Sequence, residues 1–341
     1  MHRPTNPGLI YLPLICLLLL AACDNQPKLV EVRILQFGTV IDVSLVHENP
    51  AEAEQSLGDI EQQLAEYRQN WHAWEDSDLS RFNRSLASSR AVTIPSSLAE
   101  LINLSHYYYL RSDRLFNPAL GKLIGAYGFH GSVEPDQATI SAIQKNMPSM
   151  SDLQIKGQLA TSNNEHLQLD FGGIAKGYAI GLIADQLQRQ GYENFLISAG
   201  GDIVTSGNKS GKAWRVGVQN PFEAGAIATI ELLGRHSIFT SGDYQRFYSE
   251  DNNKVHHIID PRSGNPSEQI SSATVLTTDP VLADVGATTL MIDGLENSRS
   301  LSQSLGIDDY MIVNEDREII ISRSFADKLE MIEDWPIYIT D

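Results

Sequence analysis

The chain has 341 residues, 42% of them hydrophobic and 20% charged, and its 25 Lys and Arg against 43 Asp and Glu give a formal net charge of −18. That much apolar material excludes a disordered polyelectrolyte. So acidic a balance excludes nucleic acid as a natural partner, since a phosphate backbone calls for a basic surface, and it disfavours purely electrostatic binding to an anionic bilayer.

The N-terminal 22 residues hold one Lys or Arg, Arg3, followed by an apolar run from Leu9 to Ala22 broken only by Pro13. Such a run falls short of the roughly 20 residues needed to cross a bilayer and fits the core of a secretory signal peptide. It ends Leu20-Ala21-Ala22-Cys23, which resembles the lipobox of bacterial lipoproteins, where the Cys is acylated and becomes the first residue. We therefore expect 1–22 to be a removed signal, 23–32 to be the lipidated Cys23 and a tether, and 33–341 to be the working domain. Asp24 resembles an inner-membrane retention signal, which gives an expected location at the inner membrane, lipid-anchored, on the periplasmic side. The other cysteine, Cys16, lies in the signal, so the mature chain has no thiol for a disulfide, a thiolate metal site or a cysteine nucleophile.

Arg33 to Val46 reads as a pair of strands around Phe37-Gly38-Thr39. Pro50 to Trp71 reads as a helix, because Leu57, Ile60, Leu64, Tyr67 and Trp71 recur at steps of three and four and Pro50 suits a first turn. A second helix is expected from about Ser97, where Ser97 and Glu100 have capping-box spacing, to Leu110. His166 to Phe171 alternates as a strand, breaks at Gly172-Gly173, and passes into a helix striped by Tyr178, Leu182, Ile183 and Leu187. Asn194 to Ala199 reads as a buried strand, Val281 to Ile292 as a helix, and Tyr310–Val313 with Glu318–Ser322 as a hairpin. Strands and helices alternate without regular βαβ units, so the fold class is a mixed α/β (α+β) sandwich of mixed sheets with packed helices, not a doubly wound Rossmann sheet.

Three segments have residue types suited to chemistry. In Asp170-Phe171-Gly172-Gly173-Ile174-Ala175-Lys176-Gly177-Tyr178, paired glycines open a helix whose first turn holds a Lys, an arrangement that suits a phosphate. It matches neither a Walker A loop nor a G-x-G-x-x-G fingerprint, and a plain strand-to-helix turn would have the same spacing. In Ala283-Asp284-Val285-Gly286-Ala287-Thr288, Asp284 and Thr288 are four apart on one helix face, so both oxygens can reach one hard cation such as Mg²⁺. The third segment runs from Ser241-Gly242-Asp243-Tyr244 to His256-His257-Ile258-Ile259-Asp260-Pro261-Arg262-Ser263-Gly264. A His there suits a general base, the His pair also suits a metal, and either can be structural.

Together with Phe37-Gly38-Thr39, Asp76-Ser77-Asp78-Leu79-Ser80-Arg81-Phe82-Asn83, Phe116-Asn117-Pro118 and Ser198-Ala199-Gly200-Gly201-Asp202, these segments, the third counted as the two markers Ser241–Tyr244 and His257–Gly264, form eight ordered markers over nearly the whole mature chain. The set resembles the ApbE family, the FAD:protein FMN transferases. The resemblance implies FAD as substrate, Mg²⁺ as cofactor, and transfer of FMN to a Thr hydroxyl of an acceptor protein with release of AMP. It implies a metal site of the Gly173 carbonyl, the Asp284 carboxylate and the Thr288 hydroxyl, and FAD contacts at Phe37, Trp74, Asn117, Asp170, Lys176 and Ile258. Phe37 stands where relatives usually have Met, Asn117 where many have Asp, and Gly173 where many have Ala. The implied acceptors are periplasm-facing flavin subunits of ion-pumping membrane oxidoreductases.

His257 is the expected base for the acceptor hydroxyl, with Asp260 or Asp243 as alternatives that orient it or act directly. Two other functions fit the same residues. One is a Mg²⁺-dependent FAD pyrophosphatase releasing free FMN and AMP, and the other is a flavin-binding lipoprotein without catalysis.

Overall fold

The computed structural model describes residues 27–88, 90–130, 134–250 and 253–340, so Cys23 and the expected signal lie outside the described residues. A nine-stranded sheet runs through the centre. Numbered along the chain, its strands are β1 (Lys28–Gln36), β2 (Thr39–His47), β3 (Phe195–Ala199), β4 (Asp202–Ser206), β5 (His236–Gly242), β6 (Ile270–Thr277), β7 (Asp309–Asn314), β8 (Ile319–Ser322) and β9 (Ile337–Thr340). They lie side by side in chain order. Every neighbouring pair is antiparallel except β8 with β9. A doubly wound fold needs successive parallel crossovers, so this meander with long insertions bears out the expected mixed sandwich.

The inner strands are covered on both faces, and period-two alternation sorts their side chains. Along β7, Tyr310 and Ile312 join one core, while Met311 and Val313 join another. The larger core takes helices α1 (Pro50–Trp71), α2 (Asp78–Leu86), α3 (Ser96–Arg111), α6 (Ala175–Arg189) and α7 (Pro280–Leu305). The second core lies under a small sheet of Trp214–Gln219, Ala226–Leu232 and Leu329–Met331. The short helices α4 (Gly121–Ala126) and α5 (Gln137–Lys145) enclose a third cluster that includes Ile259.

The expected α1 helix forms as read, with Leu57, Ile60, Leu64 and Trp71 buried, Pro50 in the first turn and Asn49 capping the Glu52 N–H. The hairpin of Tyr310–Val313 with Glu318–Ser322 is β7 paired with β8.

Three local readings are corrected. Lys28 to Val32, given to the tether, are the first residues of β1 and pair with Val43 to His47. Ser97 caps nothing: α3 follows Pro95 without a side-chain cap, and the Ser97 hydroxyl donates to Asp78 Oδ2 at 2.5 Å. His166 to Phe171 forms no strand: His166 ends a turn, and the segment has one parallel bridge, between Gln168 and Leu120. Its missing ladder partner is the Asn83 side chain, which accepts from the Leu169 N–H and donates to the Leu169 carbonyl, both at 2.9 Å. Those two bonds satisfy a buried peptide as a neighbouring strand would.

Candidate active site

The site begins where α6 meets α7. A Cβ at Gly177 would lie 2.4 Å from the Pro280 carbonyl and 2.8 Å from Asp284 Cβ, and one at Gly181 would lie 2.8 Å from Pro280 Cγ. One turn apart on α6, these bare positions let the start of α7 rest directly on its backbone. The approach brings Asp284 onto the first turn of α6, where its Oδ2 accepts from the Gly177 N–H at 2.8 Å. Ile174 at the N-cap offers no side-chain bond, so a carboxylate from another helix does the capping and faces the positive end of the α6 dipole.

Asp284 is 4% exposed. Burial pushes its carboxyl up to about 7; the Lys176 ammonium opposes that shift and Asp202 reinforces it. Lys176 forms a close ion pair with Asp202, which the Gly200-Gly201 turn between β3 and β4 presents to it, and the other Asp202 oxygen accepts from the Thr240 N–H at 3.1 Å. Burial alone would lower the Lys176 ammonium, but Asp202 and Asp284 outweigh it and hold it above its usual value.

Thr288, one turn beyond Asp284, bonds back to the Asp284 carbonyl at 3.1 Å and lies 3.4 Å from the Ser241 hydroxyl. A Cβ at Gly173 would stand 3.2 Å from Thr288 Oγ1. Gly173, more than 100 residues earlier in the chain, thus meets Asp284 and Thr288 at one corner. One desolvated carboxylate with neutral oxygens fits a hard divalent cation, and a positive charge there would return the Asp284 carboxyl to its ionised form. Among the described residues, no group of three or more His, Cys, Asp and Glu converges as a metal cage, so any cation here relies on the carbonyl and hydroxyl oxygens as well.

This corner opens into a cavity of about 490 Å³ lined by Phe37, Asn117, Asp170, Gly173, Lys176, His257, Ile258, Asp284 and Thr288. Nine of the ten expected site residues within the described region therefore share one space. Phe37 enters from the β1–β2 turn at φ +54°, beside Gly38 at +70°, a left-handed pair that fits a two-residue hairpin. Asn117 lines the wall with its amide already engaged, donating to the Pro148 carbonyl at 2.9 Å and accepting from the Ala119 N–H at 3.2 Å.

The tenth residue, Trp74, stands behind the wall. Its Nε1 donates to Asp170 Oδ2 at 3.2 Å, and its ring stacks on His130, which does face the cavity, at 4.3 Å. Burial would raise the Asp170 carboxyl, yet bonds from His130, the Gly172 N–H and Trp74 hold it below the usual carboxylate range.

The His pair splits where the strand Asn253–His256 ends. His256 turns inward, Nε2 bonding the Ser267 carbonyl at 2.7 Å, and is structural; His257 turns to the cavity, so the two cannot share a metal. The Arg246 carbonyl accepts from both the backbone N–H and Nδ1 of His257, each at 3.2 Å. That bond places the proton on Nδ1 and leaves Nε2 as an acceptor. Burial first, and the Arg246 guanidinium second, push the imidazole down to about 3. Neither alternative aspartate bonds His257: Asp243 pairs with Lys254 at 3.0 Å, and Asp260 is held by Arg262 at 2.7 Å.

Sequence reading passed over Arg246, His130 and Tyr244 as lining residues. Tyr244 belonged to a quoted marker, but Arg246 and His130 have no distinguishing spacing. Arg246 becomes visible only through the register that pairs Phe247 with His256.

Residues 37–311 match the ApbE family. The chain belongs to that family. It is 29% identical over 301 residues to the FAD:protein FMN transferase of Rhodobacter capsulatus, covering 87% of this chain and 58% of that one. It is 29% identical over 317 residues to the Vibrio cholerae protein of the same name, covering 88% and 92%. Among solved structures, the apo flavinyl transferase ApbE of Pseudomonas stutzeri superposes with a TM-score of 0.77 at 28% identity, covering 89% of this chain and 97% of that one. The match to the family begins at Phe37 and takes in every expected site residue of the cavity.

Proposed function

We propose that this chain takes FMN from FAD and joins it through a phosphoester to a Thr hydroxyl of an acceptor protein, with AMP leaving and Mg²⁺ required. The observation that carries the reading is the meeting of Gly173, Asp284 and Thr288 at one corner of a cavity that His257 also lines, its Nε2 without a hydrogen bond among the described residues. The name shared by the relatives, FAD:protein FMN transferase, supports transfer to a protein rather than to water.

Gly173, Asp284 and Thr288 would hold the Mg²⁺, which when bound supplies Lewis acidity and positive charge at the phosphates. Lys176, fixed by Asp202, orders that corner rather than roaming towards the ligand. His257 Nε2 takes the proton of the acceptor hydroxyl. The Thr oxygen forms a bond to the FMN phosphorus as the phosphoanhydride bond to AMP breaks, and AMP carries away the electron pair. With a resting value near 3, His257 stays neutral before substrate arrives; phosphate charge beside Arg246 offsets the cation that depresses it and raises its basicity during transfer.

The lipobox-like Cys23 supports a location on the periplasmic side of the inner membrane, held by lipid. Among the described residues no helix is long and apolar enough to cross a membrane. Flavin subunits of ion-pumping oxidoreductases facing the same compartment are the proposed acceptors.

The test incubates residues 24–341 with FAD, Mg²⁺ and a purified flavin-acceptor domain of an ion-pumping NADH:quinone oxidoreductase, then takes the acceptor's intact mass. A gain of one FMN moiety, lost when the acceptor Thr is replaced by Ala, supports the reading. Free FMN and AMP beside an unmodified acceptor would make this a pyrophosphatase.

A further inference from the structure

Two side-chain cations line the cavity, Lys176 and Arg246, and their surroundings differ. Lys176 is spent on Asp202 and lies within the field of Asp284. Arg246 is exposed, opens into the cavity from the start of the Phe247–His256 hairpin, and meets no carboxylate at ion-pair distance among the described residues. Its Nη2 lies 4.0 Å from where a Cβ at Gly38 would stand, so the guanidinium reaches across to the turn that presents Phe37. The cavity also contains two carboxylates, Asp170 and Asp284, and its Lys176 is already paired with Asp202, so Arg246 is the lining cation with most charge left for an anion.

We propose that Arg246, rather than Lys176, is the side chain that receives the pyrophosphate charge of FAD, a proposal that rests on the transferase reading above. A guanidinium offers a planar fork of donors that matches phosphate oxygens two at a time, and this one gives up no ion pair with any described residue to do so. The same residue has a second task through its backbone, because its carbonyl holds His257 by two bonds. One residue therefore registers the anion with its side chain and the base with its main chain. The two functions separate cleanly: a substitution at position 246 changes the first and leaves the carbonyl in place.

The experiment measures binding of FAD and of riboflavin, which has the flavin ring without phosphate, in the presence of Mg²⁺ to wild type, R246Q and R246K. FAD affinity should fall about 10- to 100-fold in R246Q, the range for losing a charged hydrogen-bond partner, and recover in part in R246K. Riboflavin affinity should stay within about twofold across all three, and the salt dependence of FAD binding should flatten in R246Q. R246Q should melt within a few degrees of wild type, since the His257 bonds remain.

FAD binding by R246Q within about twofold of wild type would overturn the proposal. So would an equal loss for FAD and riboflavin, which marks a purely structural role. Should R246Q fail to fold, R246K carries the test, with a loss confined to FAD expected and an equal loss for both ligands overturning it. A wild-type protein that ignores FAD altogether would overturn the transferase reading itself, and the Arg246 assignment with it.

Discussion

Along the cavity wall built from α6 and α7, the charged groups meet their counterparts inside the fold: Lys176 pairs with Asp202, and Asp284 caps α6 through the Gly177 N–H. On the hairpin side of the lining, Arg246 meets no carboxylate at ion-pair distance and His257 Nε2 has no hydrogen bond among the described residues. The first wall is fixed by backbone contact at Gly177 and Gly181. The second is positioned by the strand register that pairs Phe247 with His256 and by the Arg246 carbonyl, which accepts twice from His257, while the Arg246 and His257 side-chain functions are left open. The difference separates two tasks of a group-transfer site. A cation corner needs pre-set oxygens and gains from rigidity, whereas the groups that meet an anion and a proton must stay uncommitted until the ligand arrives.

The sharpest way to break this division is at Asp284. Asp284→Asn keeps an oxygen for the Gly177 N–H and removes the charge, so FMN transfer should fall by about 10³-fold or more while the melting temperature holds. Near-normal transfer would show that the α6–α7 wall binds no metal. On the hairpin side, His257→Ala should cost on the order of 10² to 10⁴ in rate with little loss of FAD affinity, because the ring contacts the proton rather than the cofactor phosphates. A loss below about threefold would move the base to another group.

Rigidity is tested by Gly177→Ala. The new methyl must displace either the Pro280 carbonyl or Asp284, and overpacking of this kind costs about 1–3 kcal/mol. The melting temperature should drop by about 3–10 °C, with a matching loss of Mg²⁺ affinity. An alanine tolerated without either change would mean that the helices are not held by contact.

The smallest effect is the acid dependence of stability. His257 titrates lower in the folded chain than its ordinary value of about 6.5, so its contribution is fully present above that pH and is lost as pH falls from about 6.5 towards 3. His257→Gln should remove on the order of 1 kcal/mol of that acid-side loss, read by urea unfolding at about pH 7 and about pH 5. Identical slopes in the two proteins would contradict the buried, cation-flanked setting.

Much of the first wall was legible in the sequence, because its signals are local. Paired glycines before Lys176 mark a helix start, and Asp284 with Thr288 share a helix face by spacing alone. Less of the second wall was legible. Arg246 and His257 are neighbours only through the register that pairs Phe247 with His256, which residue spacing alone does not declare. Segment 166–171 was misread because Asn83, more than 80 residues earlier, stands in for a strand. Ser97 was misread as a cap because its hydroxyl has a better acceptor in Asp78. Lys28 to Val32 looked like tether since an edge strand with one exposed face reads as polar, yet β2 pairs with it throughout.

The most direct measurement is a crystal structure of the chain with FAD and Mn²⁺ in place of Mg²⁺, locating the metal by its anomalous signal. The account predicts a peak bounded by the Gly173 carbonyl, Asp284 and Thr288, with the α6–α7 backbone unmoved, Lys176 still on Asp202 and the FAD phosphates against Arg246. A metal seated elsewhere, or phosphates drawn to Lys176 with the Asp202 pair broken, would contradict it.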